Sequence, residues 1–248
     1  MTNYILFFAV ILLSNIIHGI TGFAGTLLAM PFSLMLVGYV VAKPVLNVLG
    51  ILSGVYVILS KDCKIDWKEL KKIVIIMALG MLGGILIKDA CVGREEILYK
   101  ILGTFIIVLG LQGIYKSFFQ GNKGETKKGS DSPLVANLIL ILAGIVHGIF
   151  VSGGALLVGY MTKRVKDKVA FRSTISTVWI FLNGMLLVDD IRSGLWTGTL
   201  IGVQLISIPF LFGGMYIGSK LYAKMSQQVF MKITYVLLVI SGISLFIK

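Results

Sequence analysis

The sequence predicts an all-α integral membrane protein made of two tandem, inverted five-segment repeats, each with one discontinuous half-helix. Three observations carry this. First, hydrophobic residues are 57% of the 248 and charged residues 14%, whereas soluble domains carry roughly 25% charge; mean hydropathy is +0.95. Second, residues 1–42, 132–162 and 193–219 contain no Asp, Glu, Lys or Arg, and each run exceeds the ~20 apolar residues of a bilayer-spanning helix. Third, His18-Gly19-Ile20-Thr21-Gly22-Phe23-Ala24-Gly25 and His147-Gly148-Ile149-Phe150-Val151-Ser152-Gly153-Gly154 align without a gap at an offset of 129 residues and hold the only two histidines. A β-barrel is excluded, because barrel strands alternate apolar and polar residues in short segments.

Taken in order, apolar segments are expected near residues 4–19, 24–38, 44–60, 70–88 and 98–116. The N-terminal stretch lacks a basic region before its apolar run and a small-residue cleavage site, so it reads as the first membrane helix and not as a signal peptide. A polar linker with glycine and lysine follows at 118–132 and reads as a mobile loop. Further segments lie near 134–150, 154–162, 170–188, 195–219 and 228–247. The first repeat is therefore residues 1–117 and the second 133–248, together one transmembrane domain. Other landmarks keep nearly the same offset: Trp67 and Trp196, Gly83-Gly84 and Gly213-Gly214, Val41-Ala42 and Val169-Ala170.

The seventh segment is too short to cross. From Ala155 to Thr162 a helix spans only ~12 Å, against a hydrocarbon core of ~30 Å. The sixth segment is thus read as a full helix, followed by a glycine break and a half-helix starting at mid-depth. By the repeat, the second segment starts near Gly25-Thr26, with Pro31 inside it.

The net charge of +12 is mostly a topology signal. Lys61, Lys64, Lys68, Lys71 and Lys72 follow the third segment; Lys116, Lys123, Lys127 and Lys128 the fifth. Lys163, Arg164, Lys166, Lys168 and Arg172 follow the seventh; Lys220, Lys224 and Lys232 the ninth. Only Lys43, Lys88, Arg94, Lys100, Arg192 and Lys248 lie elsewhere. If every segment crosses, the crowded loops and the central linker share the cytoplasmic side, both termini are outside, and five crossings per repeat invert the second half. No nucleic-acid partner is implied. Cys63 and Cys91 have no metal-ligand spacing.

A half-helix that begins inside the bilayer leaves backbone N–H groups without partners, and its N-terminus carries about half a positive charge. Together these make an anion site. Gly22, Gly25, Ser152, Gly153 and Gly154 would supply it, with Thr21, Asn47 and Thr174 adding small polar groups; Asn15, Ser33, Ser173, Ser176 and Thr177 lie nearby. His18 and His147 bind substrate, titrate in proton coupling, or only hydrogen-bond across the bundle. Arg172 either meets an anion from the cytoplasm or is one more topology residue. Gly83-Gly84 and Gly213-Gly214 read as close helix packing, Asp89 and Asp189-Asp190 as solvated interfacial acids, and Pro209 as a kink. No metal is expected, since the segments flanking the breaks hold no Cys, Asp or Glu to complete a shell.

The pattern Gly19-x-x-Gly22-x-x-Gly25, a short apolar stretch and Pro31, with the Ser152-Gly153-Gly154 copy and the Val-Ala opening of the third segment, resembles the TauE/SafE family of sulfite and organosulfonate permeases. The resemblance covers essentially the whole chain. It implies a secondary transporter of small sulfur-containing anions in the plasma membrane, with no bound cofactor and with the bilayer and a small anionic solute as its partners. The alternative is an integral-membrane enzyme acting on a lipid or lipid phosphate, which would need an acid/base pair or metal cluster at one depth. A third is a non-transporting scaffold or receptor. Coupling is expected to protons or to membrane potential, as no acidic cluster suggests a sodium site. The identity of the anion, the direction of transport, the number of full crossings and the oligomeric state, a homodimer included, are left open by the sequence.

Overall fold

The computed structural model describes residues 2–60, 63–91, 95–119, 132–165 and 167–222, with isolated positions at 236, 239, 240 and 243. Most of the 118–132 linker and the expected tenth segment lie outside the described residues. Among the described residues the chain is entirely helical: α1 (Thr2–Thr21), α2 (Ala24–Val37), α3 (Tyr39–Ile58), α4 (Trp67–Ala90), α5 (Glu95–Phe119), α6 (Pro133–Phe150), α7 (Gly154–Arg164), α8 (Lys168–Arg192) and α9 (Gly198–Tyr222). Six of these, α1, α3, α4, α6, α8 and α9, are long and apolar enough to cross a membrane. Helix α2 has 14 residues and α7 has 11, lengths of ~21 and ~17 Å.

The helices start where the sequence offers caps. Asp66 Oδ1 accepts from the N–H groups of Lys68 and Glu69, both at 3.1 Å, to open α4. Asp167 Oδ1 accepts from Ala170 N–H at 2.8 Å to open α8. Each satisfies donors that the first helical turn leaves over. Along α4, Ile75, Leu79, Leu82 and Leu86 are exposed while Ile73, Met77, Met81 and Gly84 are buried. That is the spacing of one outward and one inward helical stripe, and in a bilayer the outward one meets lipid tails.

Glycine sets the tightest crossings. A Cβ on Gly80 or Gly84 would overlap the carbonyl oxygens of Ile141 and Ile145 of α6, and one on Gly144 or Gly148 would meet Met77 O and Met81 O of α4. The same arrangement joins α9 to α1. A Cβ on Gly214 would lie 2.5 Å from Leu12 O, and one on Gly19 would lie 2.9 Å from Met215 O. Of the two glycine pairs read as packing, Gly84 and Gly214 sit in backbone contact; Gly83 and Gly213 are looser. Close approach of this kind replaces the hydrophobic drive that helices lack in lipid.

These contacts fix relative directions. α4 runs parallel to α6 and α1 parallel to α9, since each contact series rises together in both helices. α3 and α8 cross antiparallel: Lys43 near the start of α3 meets Asp190 near the end of α8, and Gly54 late in α3 packs on Ser176 and Ile180. Lys64 N–H and Asp66 N–H donate to Ser173 Oγ and Thr174 Oγ1 at 3.2 and 2.9 Å. The α3–α4 loop therefore sits on the second turn of α8, and these lysine-bearing segments share one end of the bundle, called here the basic end.

Gly80→Ala and Gly84→Ala should each force α4 from α6 and destabilise the protein by about 1–3 kcal/mol, the usual cost of overpacking. Gly202→Ala, where a Cβ meets nothing within 4 Å, should not. Thermal unfolding in detergent checks both.

Candidate functional site

Both expected breaks lie between helices, at Gly22-Phe23 and at Val151-Ser152-Gly153. In the first, Gly22 turns the chain at φ 78°, a left-handed conformation that glycine adopts at no steric cost. The donors released there are taken up locally. Thr21 Oγ1 accepts from Phe23 N–H at 3.4 Å and from Ala24 N–H at 3.2 Å, and His18 Nδ1 accepts from Gly25 N–H at 3.3 Å. Because Nδ1 is an acceptor, the ring proton of His18 sits on Nε2, a buried atom with no hydrogen-bond partner.

The second break is built differently. Val151 takes the left-handed conformation at φ 56°, strained for a β-branched residue by about 1–3 kcal/mol. Ser152 Oγ donates to Phe150 O at 2.9 Å. No side chain caps α7, whose N-cap residue is Gly153. His147 lies 2.8 Å from Asn183 through Nε2; the amide oxygen can only accept, so Nε2 donates and Nδ1 is left a buried lone pair without a partner. The ring stacks on Trp179 with centroids 5.1 Å apart.

The two breaks touch. A Cβ on Gly154 would sit 3.2 Å from Phe23 O and 3.5 Å from Trp179. Each is also held by the third helix of the other half. Arg172 of α8 donates through Nη2 to Gly19 O at 3.0 Å, and the Tyr39 hydroxyl of α3 donates to Ile149 O.

Beside His18 lies a small cavity of about 10 Å³, lined among others by Ser14, Asn15, Gly25, Thr26, Gly50 and Ser53. That is room for about one water. Asn183 closes the far side of Gly50, where a Cβ would run into its amide nitrogen, so Asn183 links the His147 ring to the wall of the His18 cavity. A second cavity of about 450 Å³ opens at the basic end between α3, α8 and α9, lined by residues including Tyr56, Ser60, Arg172 and Ser219.

The structure thus brings His18 and Gly25 together at one cavity, Gly22 against Arg172, and Gly154 against the first break. Gly153 packs under Ala143 O. Two expected residues face elsewhere. Thr174 holds the α3–α4 loop through its bond to Asp66 N–H. Asn47 Nδ2 donates to Asp190 Oδ2 at 3.1 Å, while its Oδ1 stays without a partner.

One reading is corrected outright. Asp190 is not a solvated interfacial acid: it is fully buried, 2.5 Å from the equally buried Lys43. A buried carboxylate this far from water is tolerated only with a cation beside it, and Lys43, a charge within an apolar helix, was the sequence signal for it. Asn183 also escaped the sequence reading, although a mid-helix amide in an apolar segment is itself a flag.

Six membrane-length helices among the described residues, two of them followed by a break and a short helix, define a multi-pass membrane protein. A family model described as Sulfite exporter TauE/SafE matches residues 6–245. The chain belongs to that family, a family of membrane transporters. Comparison with curated proteins and with solved structures gave no match. Family membership gives no support to the membrane-enzyme reading.

Asn183→Leu should strand the His147 Nε2–H and cost about 1–3 kcal/mol. In a His147→Phe background the same change should cost much less, which a double-mutant cycle of unfolding in detergent measures.

Proposed function

We propose that the protein is a secondary transporter moving small sulfur-containing anions, sulfite, a sulfonate or a similar oxyanion, across the plasma membrane through a site between its two broken helices. The observation that carries this is the meeting of the breaks, Gly154 against Phe23 O, with buried His18 and His147 nearby, each keeping one ring nitrogen without a protein partner. An oxyanion accepts hydrogen bonds, and the His18 Nε2–H and the α7 N-terminus are donors suited to it. Of the two breaks the second is the stronger anion subsite, because Thr21 and His18 already cap the first.

In this reading residues 1–117 and 133–248 are inverted repeats joined by the 118–132 linker. Support comes from the helix directions. Each helix among α1, α3 and α4 runs opposite to its counterpart α6, α8 or α9, and the α1–α9 contact exchanges with α6–α4 when the halves are swapped. That arrangement suits alternating access about a central site. The basic end would face the cytoplasm. The partners are the anion and the bilayer, with no nucleic acid and no cofactor; a homodimer is compatible with the lipid-facing surface.

In proteoliposomes, radiolabelled sulfite or a small sulfonate should enter saturably, with mutual competition and no competition from a small organic cation. His18→Ala should lower flux about tenfold or more, the loss of a hydrogen bond to a charged ligand; His147→Ala should lower it by less, since its one N–H is already given to Asn183. Normal flux in both folded variants would remove the imidazoles from the path. Absence of flux for every anion in the panel would remove the transport reading.

A further inference from the structure

The two ends of the bundle differ at positions that the repeat makes equivalent. At the basic end, Ser60, Arg172 and Ser219 line the open cavity of about 450 Å³. The 129-residue spacing of the histidine and tryptophan pairs carries Ser60 to Asp189 and Arg172 to Lys43, and the 130-residue spacing of the glycine pairs carries Ser219 to Asp89. At the opposite end those residues are drawn together. Lys43 Nζ lies 2.5 Å from Asp190 and 3.4 Å from Asp189; Lys88 Nζ lies 2.7 Å from Asp189 and 3.2 Å from Asp89. Helices α3, α4 and α8 are tied to one another by charged side chains, where α3 and α9 meet through the Tyr56 and Phe212 rings, 6.2 Å apart at their centroids.

We propose that the cluster of Lys43, Lys88, Asp189 and Asp190 is the gate that closes the end of the transport path away from the basic loops. The inference rests on the transport function proposed above. The structure is then the state open at the basic end and shut at the other.

Ion pairs suit a gate. Packed apolar side chains lose contact when they part and gain nothing from water, whereas separated charges are rehydrated, so the open and closed states stay close in free energy. The cluster is graded for this. Lys88 and Asp189 sit at the solvent edge, with side chains 11% and 20% exposed, and Lys43 with Asp190 lies beneath them, fully buried. Opening begins at the edge pair. Once Asp189 and Asp190 withdraw, Lys43 and Lys88 face the path as two cations, and an entering anion takes the place of the departed carboxylates. Lys43 then does at this end what its equivalent Arg172 is placed to do at the basic end.

The test uses thiol accessibility and needs no known substrate, so its failure is distinct from a failure of anion flux. In a Cys63→Ser, Cys91→Ser background, Leu46→Cys reports the wall of the His18 cavity behind the gate, and Tyr56→Cys, at a half-buried position, reports the basic-end cavity. A membrane-impermeant methanethiosulfonate is applied to right-side-out and to inverted vesicles. Lys88→Gln and Asp189→Asn, both at the solvent edge, should raise labelling of Leu46→Cys from the non-basic side about tenfold and lower labelling of Tyr56→Cys, a population shift between two states. A general loosening of the fold would raise labelling at both cysteines; that outcome, or parent-like labelling in the two single variants, would overturn the gate.

Discussion

A helix that stops among buried residues must find partners for the backbone groups it releases, and this one constraint explains most of what surrounds the breaks. At the end of α1 the freed groups are met by Thr21, His18 and Arg172; at the end of α6 by Ser152 and Tyr39. Arg172 and Tyr39 matter most, because each comes from the opposite half of the chain. Lipid offers no hydrogen bonds, so a half on its own would leave Gly19 O or Ile149 O bare. The site is consequently a property of the assembled pair. Residues that look as if they belong to a ligand site from sequence can instead be committed to holding it together.

The two copies have diverged within a shared plan. His18 and His147 occupy the same place in their motifs, yet one uses Nδ1 to cap a helix and the other uses Nε2 to hold Asn183. The donors at the first break are mostly consumed, and those at the second are not capped by side chains. The two breaks share a sequence motif, but the first is capped by side chains and α7, after the second, is not. The strain at Val151 falls on the second copy, where local geometry is held against its own preference.

Much of the fold was legible because membrane helices announce themselves by length and charge. The segments expected at 24–38, 134–150 and 154–162 appear as α2, α6 and α7 within about two residues, the ordinary spread of helix boundaries. The shortness of α7 followed from Lys163-Arg164 interrupting the apolar run. The site was legible only in part. Glycine spacing located the breaks, but no one-dimensional pattern could show that Thr174 would turn to the Asp66 loop or that Asn47 would turn to Asp190. Those orientations depend on how α3 crosses α8, a tertiary fact. Asp190 was misjudged for a related reason: position near a helix end suggests water, whereas burial is decided by whether Lys43 arrives from another helix.

The size of the His18 cavity adds a final constraint. About 10 Å³ accommodates one water, and an oxyanion of four heavy atoms does not fit there without movement of the walls. Helix α2 carries Gly25, Thr26 and Ala29 into the cavity and is flanked by Gly22 at φ 78° and Gly38 at φ 75°. A residue at each end that tolerates large dihedral change lets a short helix shift as a unit while α1 and α3 keep their crossings with α9 and α8. Moving α2 also stretches the His18–Gly25 bond, releasing an amide donor beside the Nε2–H already present. Uncapping Gly25 N–H with no acceptor beside it is costly in a low dielectric, which is why, in the transport reading proposed above, the second break and not this one is the stronger anion subsite.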